Sequence, residues 1–516
     1  MHVYDDGGTA VDAAIAAAFG QAVSNPLGTG ISGMAHIMLL PAGATRPVYL
    51  NASVETGSLA STDRFSSDFV GRSERAGRYL VRDDRNQWGY ESIMTPGFVA
   101  GMEAVRDAGG ARLAWDRLVT PSVGLATEGF EVYPYLAEYY TFEGPSRPGY
   151  PDIFHKLAGN AAAMELYLPG GRPRVAGSLL RQPDYGAALE AIARLGPREF
   201  YTGSVGRRIA EDLAAHGSSV SEHDLAGYTV RTEAPVACDF GDLTIYSAPP
   251  PSQGLILLTM LALADGLRLE VMDPLSADYV EVIAAVTRTA FAECLPYLGD
   301  PRFVDVPVAW LLSSERIAAL QPELDRPRTA GGAAMSEHTT HVSACDDAGN
   351  FVSVTHSIGS VTGAGVMTPG LGFFYNNFLG HFNVLRGYHD SIVPGKRMGG
   401  GCPSIVFRNG RPWLSIGSSG GPRLISAVFQ TLLNVSRFGM SLQQAVGAPR
   451  IHCEQSRRIY VEPELGTGTL DALRSRGYEV VETNYMGCNQ AVALLDGRAE
   501  AGSDPRGGVG VVLDNS

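Results

Sequence analysis

The residues best suited to chemistry lie in the segment Glu337-His338-Thr339-Thr340-His341-Val342-Ser343. A threonine hydroxyl inside a chain is a weak nucleophile. A threonine that becomes a new N-terminus also has an α-amine that can take the hydroxyl proton. Cleavage of the His338–Thr339 bond would therefore place nucleophile and base in one residue. Alternatively, the two β-branched threonines only open the strand that follows them.

Hydrophobic periodicity and turn residues predict the elements that must position this segment. A hairpin is expected over Thr339–Thr355, after a polar, small and mobile linker over residues 323–338. Further strands are expected at Met34–Leu40, Pro47–Ala52, Leu243–Ser247, Phe373–Tyr375, Ser404–Arg408 and Trp413–Ile416. Helices are expected at residues 10–23, 97–108, Tyr185–Leu195, Gly206–Ala215, Leu255–Leu263, Ala277–Leu295, Leu424–Arg437 and Leu442–Ala448.

The bulk composition excludes several classes of protein. The 516 residues carry a formal charge of −14 without a basic cluster, which argues against nucleic acid and anionic membranes as partners. The six cysteines are scattered and form no CxxC motif, so neither a zinc site nor a disulfide framework is indicated. No apolar run is as long as a membrane span, and the start lacks an export signal, so we expect a cytoplasmic protein.

Short motifs in a fixed order cover almost the whole chain and resemble those of the γ-glutamyltranspeptidase family of N-terminal-nucleophile (Ntn) hydrolases. Besides Thr339-Thr340-His341, they include Gly28-Thr29-Gly30-Ile31-Ser32-Gly33, Thr95-Pro96-Gly97-Phe98, Pro249-Pro250-Pro251-Ser252-Gln253-Gly254, Gly417-Ser418-Ser419-Gly420-Gly421-Pro422-Arg423, Ala448-Pro449-Arg450 and Gly502-Ser503-Asp504-Pro505-Arg506.

The resemblance implies an α+β fold, the αββα four-layer sandwich of Ntn hydrolases, formed jointly by two fragments of one self-cleaved precursor. The large fragment would be residues 1–338 and the small one 339–516, associated as one intertwined unit. A dimer of such units is a further expectation. The family usually has more residues before Gly7-Gly8, so we expect the natural start to lie further upstream.

The resemblance also assigns the catalytic residues. Thr339 would be the nucleophile, with Thr340 as the alternative if the cleavage site is shifted by one. Ser357 stands where the family usually has a threonine that assists self-cleavage, and a serine hydroxyl can make the same hydrogen bond. Gly420 and Gly421 match the pair whose N–H groups stabilise the tetrahedral intermediate.

The donor-binding positions depart from the family. The family holds the α-amine of a γ-glutamyl donor with an Asn, a Gln or Glu, and an Asp; here those positions are Gly359, Phe378, which follows Asn377, and His381. A Ser-Ser pair that holds the α-carboxylate is replaced by Gly399-Gly400. Arg64 is near the position of the family arginine, and Arg397 is a nearby cation. A buried ammonium without carboxylates costs several kcal/mol, so we expect poor use of glutathione.

The leading hypothesis is therefore an Ntn hydrolase or acyltransferase that acts on a small molecule through an acyl-enzyme. Its donor would bear a carboxylate or keto-acid but no free amine. Three alternatives stay open. One is a C–C bond hydrolase that removes an oxalyl-type unit in alkylproline antibiotic biosynthesis. The others are an ordinary glutathione hydrolase or transpeptidase, and a non-catalytic binding homologue. The mechanism requires no cofactor and no metal.

Overall fold

A computed structural model of the chain describes residues 3–73, 78–142, 146, 151–324, 338–454, 457–495 and 497–507. The strands, in chain order, are β1 (Met34–Leu40), β2 (Val48–Ala52), β3 (Phe69–Arg72), β4 (Tyr79–Val81), β5 (Phe130–Glu131), β6 (Leu179–Leu180), β7 (Arg231–Glu233), β8 (Val236–Phe240), β9 (Leu243–Ser247), β10 (His338–Cys345), β11 (Phe351–Gly359), β12 (Ser404–Arg408), β13 (Arg411–Ser419), β14 (Ile451–His452), β15 (Arg458–Val461), β16 (Glu479–Glu482), β17 (Cys488–Leu495) and β18 (Arg498–Ser503).

The α-helices are α1 (Ala10–Ser24), α2 (Phe98–Gly109), α3 (Trp115–Glu128), α4 (Pro134–Phe142), α5 (Ile153–Leu157), α6 (Ala161–Tyr167), α7 (Pro183–Leu195), α8 (Ser204–Ala215), α9 (Glu222–Gly227), α10 (Gly254–Asp265), α11 (Ala277–Cys294), α12 (Val308–Leu311), α13 (Ser314–Leu320), α14 (Arg423–Arg437), α15 (Leu442–Gly447) and α16 (Thr467–Ser475). Within the described ranges, none of these helices has the length and apolar character needed to cross a membrane.

Two antiparallel sheets form the centre of the fold. The first has the strand order β10-β11-β1-β2-β7, and the second has the order β18-β17-β13-β12-β9-β8. Each sheet contains strands from before and after the His338–Thr339 bond, because β11 pairs with β1 and β12 pairs with β9. The two segments on either side of this bond are therefore joined through the backbone ladders of both sheets.

Helices cover the outer face of each sheet, which completes four layers. Apolar side chains of α1, α2, α3, α7 and α8 form one core cluster with β1, β10 and β11. Residues of α10, α11 and α14 form a second cluster with β9, β12 and β13. The predicted αββα sandwich is thus confirmed. It also explains why Met34–Leu40 is apolar at almost every position, since a strand covered on both faces has no solvent-facing side.

Part of the interface between the sheets is an apolar cluster that includes Met38, Phe351, Ile405 and Phe407, and part is built from small and hydroxyl-bearing residues. Ser353 Oγ donates to the carbonyl of Ile416 at 3.0 Å. In the opposite direction, Ser415 Oγ donates to the carbonyl of Val352 at 2.7 Å. The His341 ring lies against Gly417, so close that a Cβ at position 417 would be 2.2 Å from Cε1. These contacts hold the two sheets in one fixed alignment.

Most predicted elements are confirmed to within a few residues, but one strand is wrong. Phe373–Tyr375 runs through a loop, where the N–H of Tyr375 donates to the carbonyl of Val366 at 3.2 Å. Its aromatic rings pack into the core beside Phe200 and Tyr185, so their apolar character reflects burial and not sheet pairing. Residues 325–337 of the predicted linker lie outside the described residues.

Replacement of Gly417 by alanine should destabilise the protein and slow its maturation. The added methyl group would displace the His341 ring and with it β10, at a cost of about 1–3 kcal/mol. Urea unfolding of the uncleaved Thr339→Ala chain, with and without Gly417→Ala, measures this cost. Gly124→Ala, in α3 with open space around its Cα, is the control and should be neutral or stabilising. Equal stability of the two variants would contradict the close contact.

The uncleaved Thr339→Ala chain should lose stability in weak acid. Burial lowers the pKa of His36, His341, His356 and His452 to about 3. Between pH 6.5 and 3 the unfolded state then binds more protons than the folded state, so the free energy of unfolding falls as the pH falls. The slope is up to about 1.4 kcal/mol per pH unit for each histidine. Urea titrations at pH 7.5 and pH 5.5 test this, and an unchanged midpoint would refute it.

Candidate active site

Thr339 lies at an irregularity in the pairing of β10 with β11. His338 pairs with Gly359 and Thr340 pairs with His356, so that two residues of β11, Ser357 and Ile358, oppose the single residue Thr339. Such a bulge redirects a side chain locally and is frequent beside active sites. The Thr339 side chain is buried, with 3% of its surface exposed. The nucleophile predicted from sequence is thus at the one break in this ladder.

Alternation along β10 distinguishes Thr339 from Thr340. Ser343 Oγ donates to the carbonyl of Gln490 in the second sheet at 3.1 Å, and His341 packs on that sheet as well. Side chains two residues apart on a strand share a face, so Thr339 also faces the second sheet. Thr340 shares the opposite face with Val342, which packs into the helix-covered core. This geometry favours Thr339 over Thr340 as the nucleophile.

Ser357 lies on the same inter-sheet face as Thr339. It is four residues beyond Ser353, whose hydroxyl binds the second sheet, and strand alternation therefore directs it the same way. Its side chain is fully buried, and its Oγ accepts a hydrogen bond from the N–H of Gly359 at 2.9 Å. Ser357 and Thr339 therefore lie opposite each other at the bulge, on the face directed toward the second sheet.

Gly420 and Gly421 follow directly after the end of β13. Two hydrogen bonds between β11 and β13, from Ser353 to Ile416 and from Ser415 to Val352, each join residues that are 63 positions apart in the sequence. The two strands therefore run in the same direction. The same separation relates Ser357 to Gly420, which brings the end of β13 over the end of β11. Gly420 has φ +117° and Gly421 has φ +63°, conformations that favour glycine. Backbone N–H groups of this turn can thus approach the bulge.

A buried ion pair supports this turn, and the sequence analysis did not assign it a role. A Cβ on Gly420 would lie 2.7 Å from Cα of Gly487. Arg450 donates to the carbonyl of Gly487 at 3.1 Å and pairs with Asp504 at 2.7 Å. Both charged side chains are almost fully buried. The only sequence signal was the presence of two motifs, Ala448-Pro449-Arg450 and the one containing Asp504.

Three of the predicted donor-binding positions, Gly359, Asn377 and Phe378, pack against other parts of the protein. The side-chain oxygen of Asn377 lies 2.1 Å from where a Cβ at Gly359 would be, and it accepts the N–H of Ser360 at 3.0 Å. The Asn377 amide also donates to the carbonyl of Gln87 at 2.6 Å. Phe378 is fully buried in an apolar cluster. Asn377 and Phe378 therefore stabilise this loop, and a larger side chain at position 359 would clash.

Gly399 and Gly400 are also sites of close backbone approach. A Cβ at Gly399 would be 1.8 Å from the carbonyl oxygen of Pro251, and one at Gly400 would be 2.1 Å from Cε of Met34. The latter would also lie 3.1 Å from Nε2 of the buried His36. Because Met34 pairs with Ser357, this segment passes next to the catalytic strands. Serines would not fit at these positions without a shift of the surroundings.

A cavity of about 310 Å³ opens where two of the predicted donor positions, His381 and Gly399, come together; we call it the His381 cavity. Its volume is at the lower end of the range for small-molecule sites, about 300–1,000 Å³. It is lined by Arg72, Tyr79, Pro251, Gln253, Ala292, Leu295, Pro296, Leu298, Gly299, Asp300, His381, Phe382, Tyr388, His389, Asp390, Lys396, Arg397, Met398 and Gly399.

Gln253 and Lys396 are two further polar residues of the His381 cavity. Gln253 is 5% exposed, and its Oε1 has no hydrogen-bond partner among the described residues. Lys396 Nζ donates to the carbonyls of His389 and Ser391, and burial lowers the pKa of this amine. Lys396 lies near Phe382, whose ring centroid is 6.0 Å from Nζ. The motif containing Gln253 was noted from sequence but not connected to the pocket.

The two predicted arginines are both engaged in ion pairs. Arg397 reaches the His381 cavity, but its guanidinium pairs with Glu55 at 3.0 Å and lies over the ring of Tyr228. Arg64 pairs with Glu91 at 3.0 Å and is not among the residues that line the cavity. The structure thus gives Arg397 a structural role in the wall and does not bring Arg64 to the other donor positions.

No group of three His, Cys, Asp or Glu side chains in the described ranges is arranged to hold a metal ion. The six cysteines, all in the described ranges, form no disulfide with one another, and burial raises the pKa of Cys402 and Cys294, as is usual for inert core thiols.

Proteins of known name, and solved structures, are similar to this chain over most of its length. The Acylase ACY 1 proenzyme of Pseudomonas sp. (strain V22) is 34% identical over 489 residues, covering 92% of this chain and 84% of that protein. The glutathione hydrolase proenzyme of Pseudomonas aeruginosa is 33% identical over 542 residues, covering 98% and 91%. The crystal structure of cephalosporin acylase from Bacillus halodurans has the same fold, with a TM-score of 0.85, 23% identity and coverage of 98% and 91%.

The family model described as gamma-glutamyltranspeptidase matches residues 1–513. This match covers the bulge at Thr339, the glycine turn after β13 and the His381 cavity. The chain belongs to the gamma-glutamyltranspeptidase family and is a hydrolase or acyltransferase of the N-terminal-nucleophile type.

Proposed function

We propose that this enzyme matures by self-cleavage before Thr339 and then acts on an N-acyl donor whose acyl group has no free α-amine. The observation that carries the donor assignment is the His381 cavity. It includes His381 and Gly399, two of the donor positions expected from the family resemblance, and the two carboxylates among its described lining residues, Asp300 and Asp390, are already engaged. Asp300 pairs with Arg231 at 3.1 Å, and Asp390 accepts from Tyr79 at 2.9 Å.

Maturation would begin with attack of the Thr339 hydroxyl on the carbonyl carbon of His338. The acyl group moves from nitrogen to oxygen, and water hydrolyses the resulting ester. This frees the α-amine of Thr339 and the carboxylate of His338. Ser357, buried opposite Thr339 in the bulge, would hydrogen-bond the hydroxyl and orient it. The proposed fragments are residues 1–338 and 339–516, which the shared sheets keep together. That both named relatives are proenzymes supports this step.

Turnover would use the same hydroxyl. The free α-amine of Thr339 takes the hydroxyl proton as the oxygen attacks the donor carbonyl. The oxyanion accepts hydrogen bonds from the N–H groups of Gly420 and Gly421. Collapse expels the amine, which receives the proton, and leaves an ester on Thr339. Water or a second amine then attacks this ester, with the α-amine again as the base.

The cavity lining favours a donor that carries an acid or keto-acid over one that carries an ammonium. The described lining carries three cationic side chains, Arg72, Lys396 and Arg397, against two carboxylates, Asp300 and Asp390, so its balance of charge favours an anion over an ammonium. Burying a charge without a partner costs several kcal/mol. An oxalyl-type acyl group, as in the C–C bond hydrolase alternative, belongs to the same favoured class of small anionic acyl groups.

A second candidate is an ordinary glutathione hydrolase. It is favoured by one observation, the 33% identity to the glutathione hydrolase proenzyme of Pseudomonas aeruginosa over 98% of this chain. The two candidates share the mechanism at Thr339 and differ only in how the donor is recognised. Matched donors can therefore separate them.

The wild-type protein should give two fragments in intact-mass measurement, split between His338 and Thr339. Thr339→Ala should remain one chain, because no hydroxyl is available to attack the His338 carbonyl. Thr340→Ala is the matched control and should still be cleaved, since its side chain faces the helix-covered core. A single uncleaved wild-type chain would support the non-catalytic homologue instead, and cleavage of Thr339→Ala would refute the assignment of the nucleophile.

Donor recognition can be tested with glutaryl and γ-glutamyl anilides, which differ only by the α-ammonium. We expect wild-type kcat/KM to be at least about tenfold higher for the glutaryl donor, or about 1.4 kcal/mol. His381→Asp, which adds a carboxylate to the cavity, should reduce this ratio at least about threefold. His381→Asn is the control and should preserve it. A wild-type preference for the γ-glutamyl anilide or for glutathione would establish the second candidate.

A further inference from the structure

The strand that carries Thr339 is held differently at its two ends. In the part of the chain that the structure describes, β10 lies at the edge of the first sheet, so that only β11 pairs with it. Its far end leads into the turn to β11, and there the hydroxyl of Tyr4 donates to the carbonyl of Cys345 at 3.1 Å. At its other end, the bulge interrupts the ladder at Thr339. The nucleophile is thus at the end of an edge strand where the pairing is irregular.

Self-cleavage would change how Thr339 is held. In the intact chain the ladder continues on both sides of this residue, with His338 paired to Gly359 and Thr340 paired to His356. Once the His338–Thr339 bond is cut, the first pairing no longer reaches Thr339 through the backbone. The nucleophile is then a chain end, and chain ends are poorly ordered unless they are tied down. Turnover therefore requires a hold on β10 that does not depend on His338.

The side chain of Gln21, on α1, contacts both strands next to the bulge. Its Nε2 donates to the carbonyl of His341 on β10 at 3.1 Å. Its Oε1 lies 2.9 Å from Nε2 of His356 on β11. Because a carbonyl can only accept, the amide nitrogen of Gln21 faces His341 and the amide oxygen faces the imidazole. The Nε2 of His356 therefore carries the proton and donates it to Gln21.

Thr29, in the loop after α1, binds the other nitrogen of the same ring. Burial lowers the pKa of His356 to about 3, so the ring is neutral near pH 7. With its proton on Nε2, the ring accepts at Nδ1, and the Thr29 hydroxyl donates to this atom at 2.6 Å. The ring also packs on Phe98, at a centroid distance of 5.2 Å. We call Gln21, Thr29 and His356 together the Gln21 clamp.

The Gln21 clamp joins the two proposed fragments. Gln21 and Thr29 precede the cleavage site, whereas His341 and His356 follow it. Cleavage therefore leaves every hydrogen bond of the clamp in place. The clamp binds the carbonyl of His341 and the residue that pairs with Thr340. The nucleophile is thus only one residue beyond the part of β10 that the clamp holds.

We propose that Gln21 and His356 are positioning residues that hold the new N-terminal end of β10 in the bulge after cleavage. They act through β10 on the hydroxyl and the α-amine of Thr339, and the proposal rests on the function proposed above. No residue of the Gln21 clamp is among the described residues that line the His381 cavity. Loss of the clamp should therefore lower kcat of the mature enzyme more than it changes KM or the rate of self-cleavage.

Hydrogen exchange of the β10 amides tests the hold directly. Gln21→Met keeps the length of the side chain and removes both hydrogen bonds. In the mature enzyme it should raise the exchange rates of residues 340–344 at least about fivefold. In the uncleaved Thr339→Ala chain it should raise them less than about twofold, because His338 still continues the strand. An equal increase in the two forms would overturn the proposal.

Turnover and maturation give the second readout. A glutaryl anilide, or the γ-glutamyl anilide if that donor fails, measures kcat and KM, and intact mass over time after cell-free synthesis measures self-cleavage. Gln21→Met should lower kcat at least about threefold, while KM and the rate of self-cleavage change less than about twofold. His356→Leu should behave in the same way. His356→Gln, which can still accept from Thr29 and donate to Gln21, should retain most of the wild-type kcat.

Gln182→Met is the matched control. Gln182 is also a buried glutamine of the large fragment, and its amide donates to the carbonyl of Val23 at 2.9 Å and accepts from the hydroxyl of Tyr167 at 3.0 Å. This substitution removes the same kinds of hydrogen bond at a place outside β10 and β11. It should leave kcat and the exchange of residues 340–344 unchanged.

The outcomes separate the two proposals. If wild type is cleaved but Gln21→Met slows self-cleavage as much as turnover, or changes neither, the clamp is refuted while the enzyme function stands. If no donor is turned over, the exchange measurement alone decides. If Gln21→Met does not fold, Gln21→Glu takes its place, because it still accepts from His356 and cannot donate to His341. If wild type is not cleaved, the proposed function fails and the clamp fails with it.

Discussion

The alignment of the two central sheets is the constraint on which the active site depends. It is set by short side chains: hydroxyls of Ser353 and Ser415 bind carbonyls of the opposite sheet, and the His341 ring fits over Gly417. Elsewhere the same two sheets are joined by a buried apolar cluster that includes Met38, Phe351 and Phe407, whose contacts are not directional. The hydrogen bonds instead fix a single offset between β11 and β13. Because of this offset, the end of one strand carries Ser357 and the end of the other carries the glycine turn.

The catalytic end and the recognition end of the site are built in different ways. Thr339, Ser357 and Gly420 are at strand ends, where ladders on several sides define the backbone. The His381 cavity is formed mainly by loops and by helix ends, including the segment that carries Lys396 and Met398. Changes in such loops leave the sheets intact. Residues in these loops can therefore change without disturbing the strands that carry Thr339 and Ser357.

Much of the fold was predictable because its central strands and helices have strong, locally encoded patterns. The buried strand Met34–Leu40 and the helix α11 follow directly from apolar runs and their period. The segment Phe373–Tyr375 shows where this reasoning fails. Aromatic residues favour strands on average, but here they are buried in a loop that pairs with residues 364–366. A local pattern indicates that a segment is buried, but it does not indicate which other segments of the chain cover it.

The sequence by itself determined the family, the four-layer fold and the candidate nucleophile. These depend on motifs that occur in a fixed order and on residue types whose reactivity is known from the side chain. Only the tertiary structure decided which groups meet. It placed Thr339 and Thr340 on opposite faces of β10, and it engaged Arg397 in an ion pair with Glu55. It also brought Gln253 into the His381 cavity and Gln21 beside His356, although these residues are far apart in the chain. Such encounters depend on sheet register and packing across long sequence separations, which no local pattern encodes.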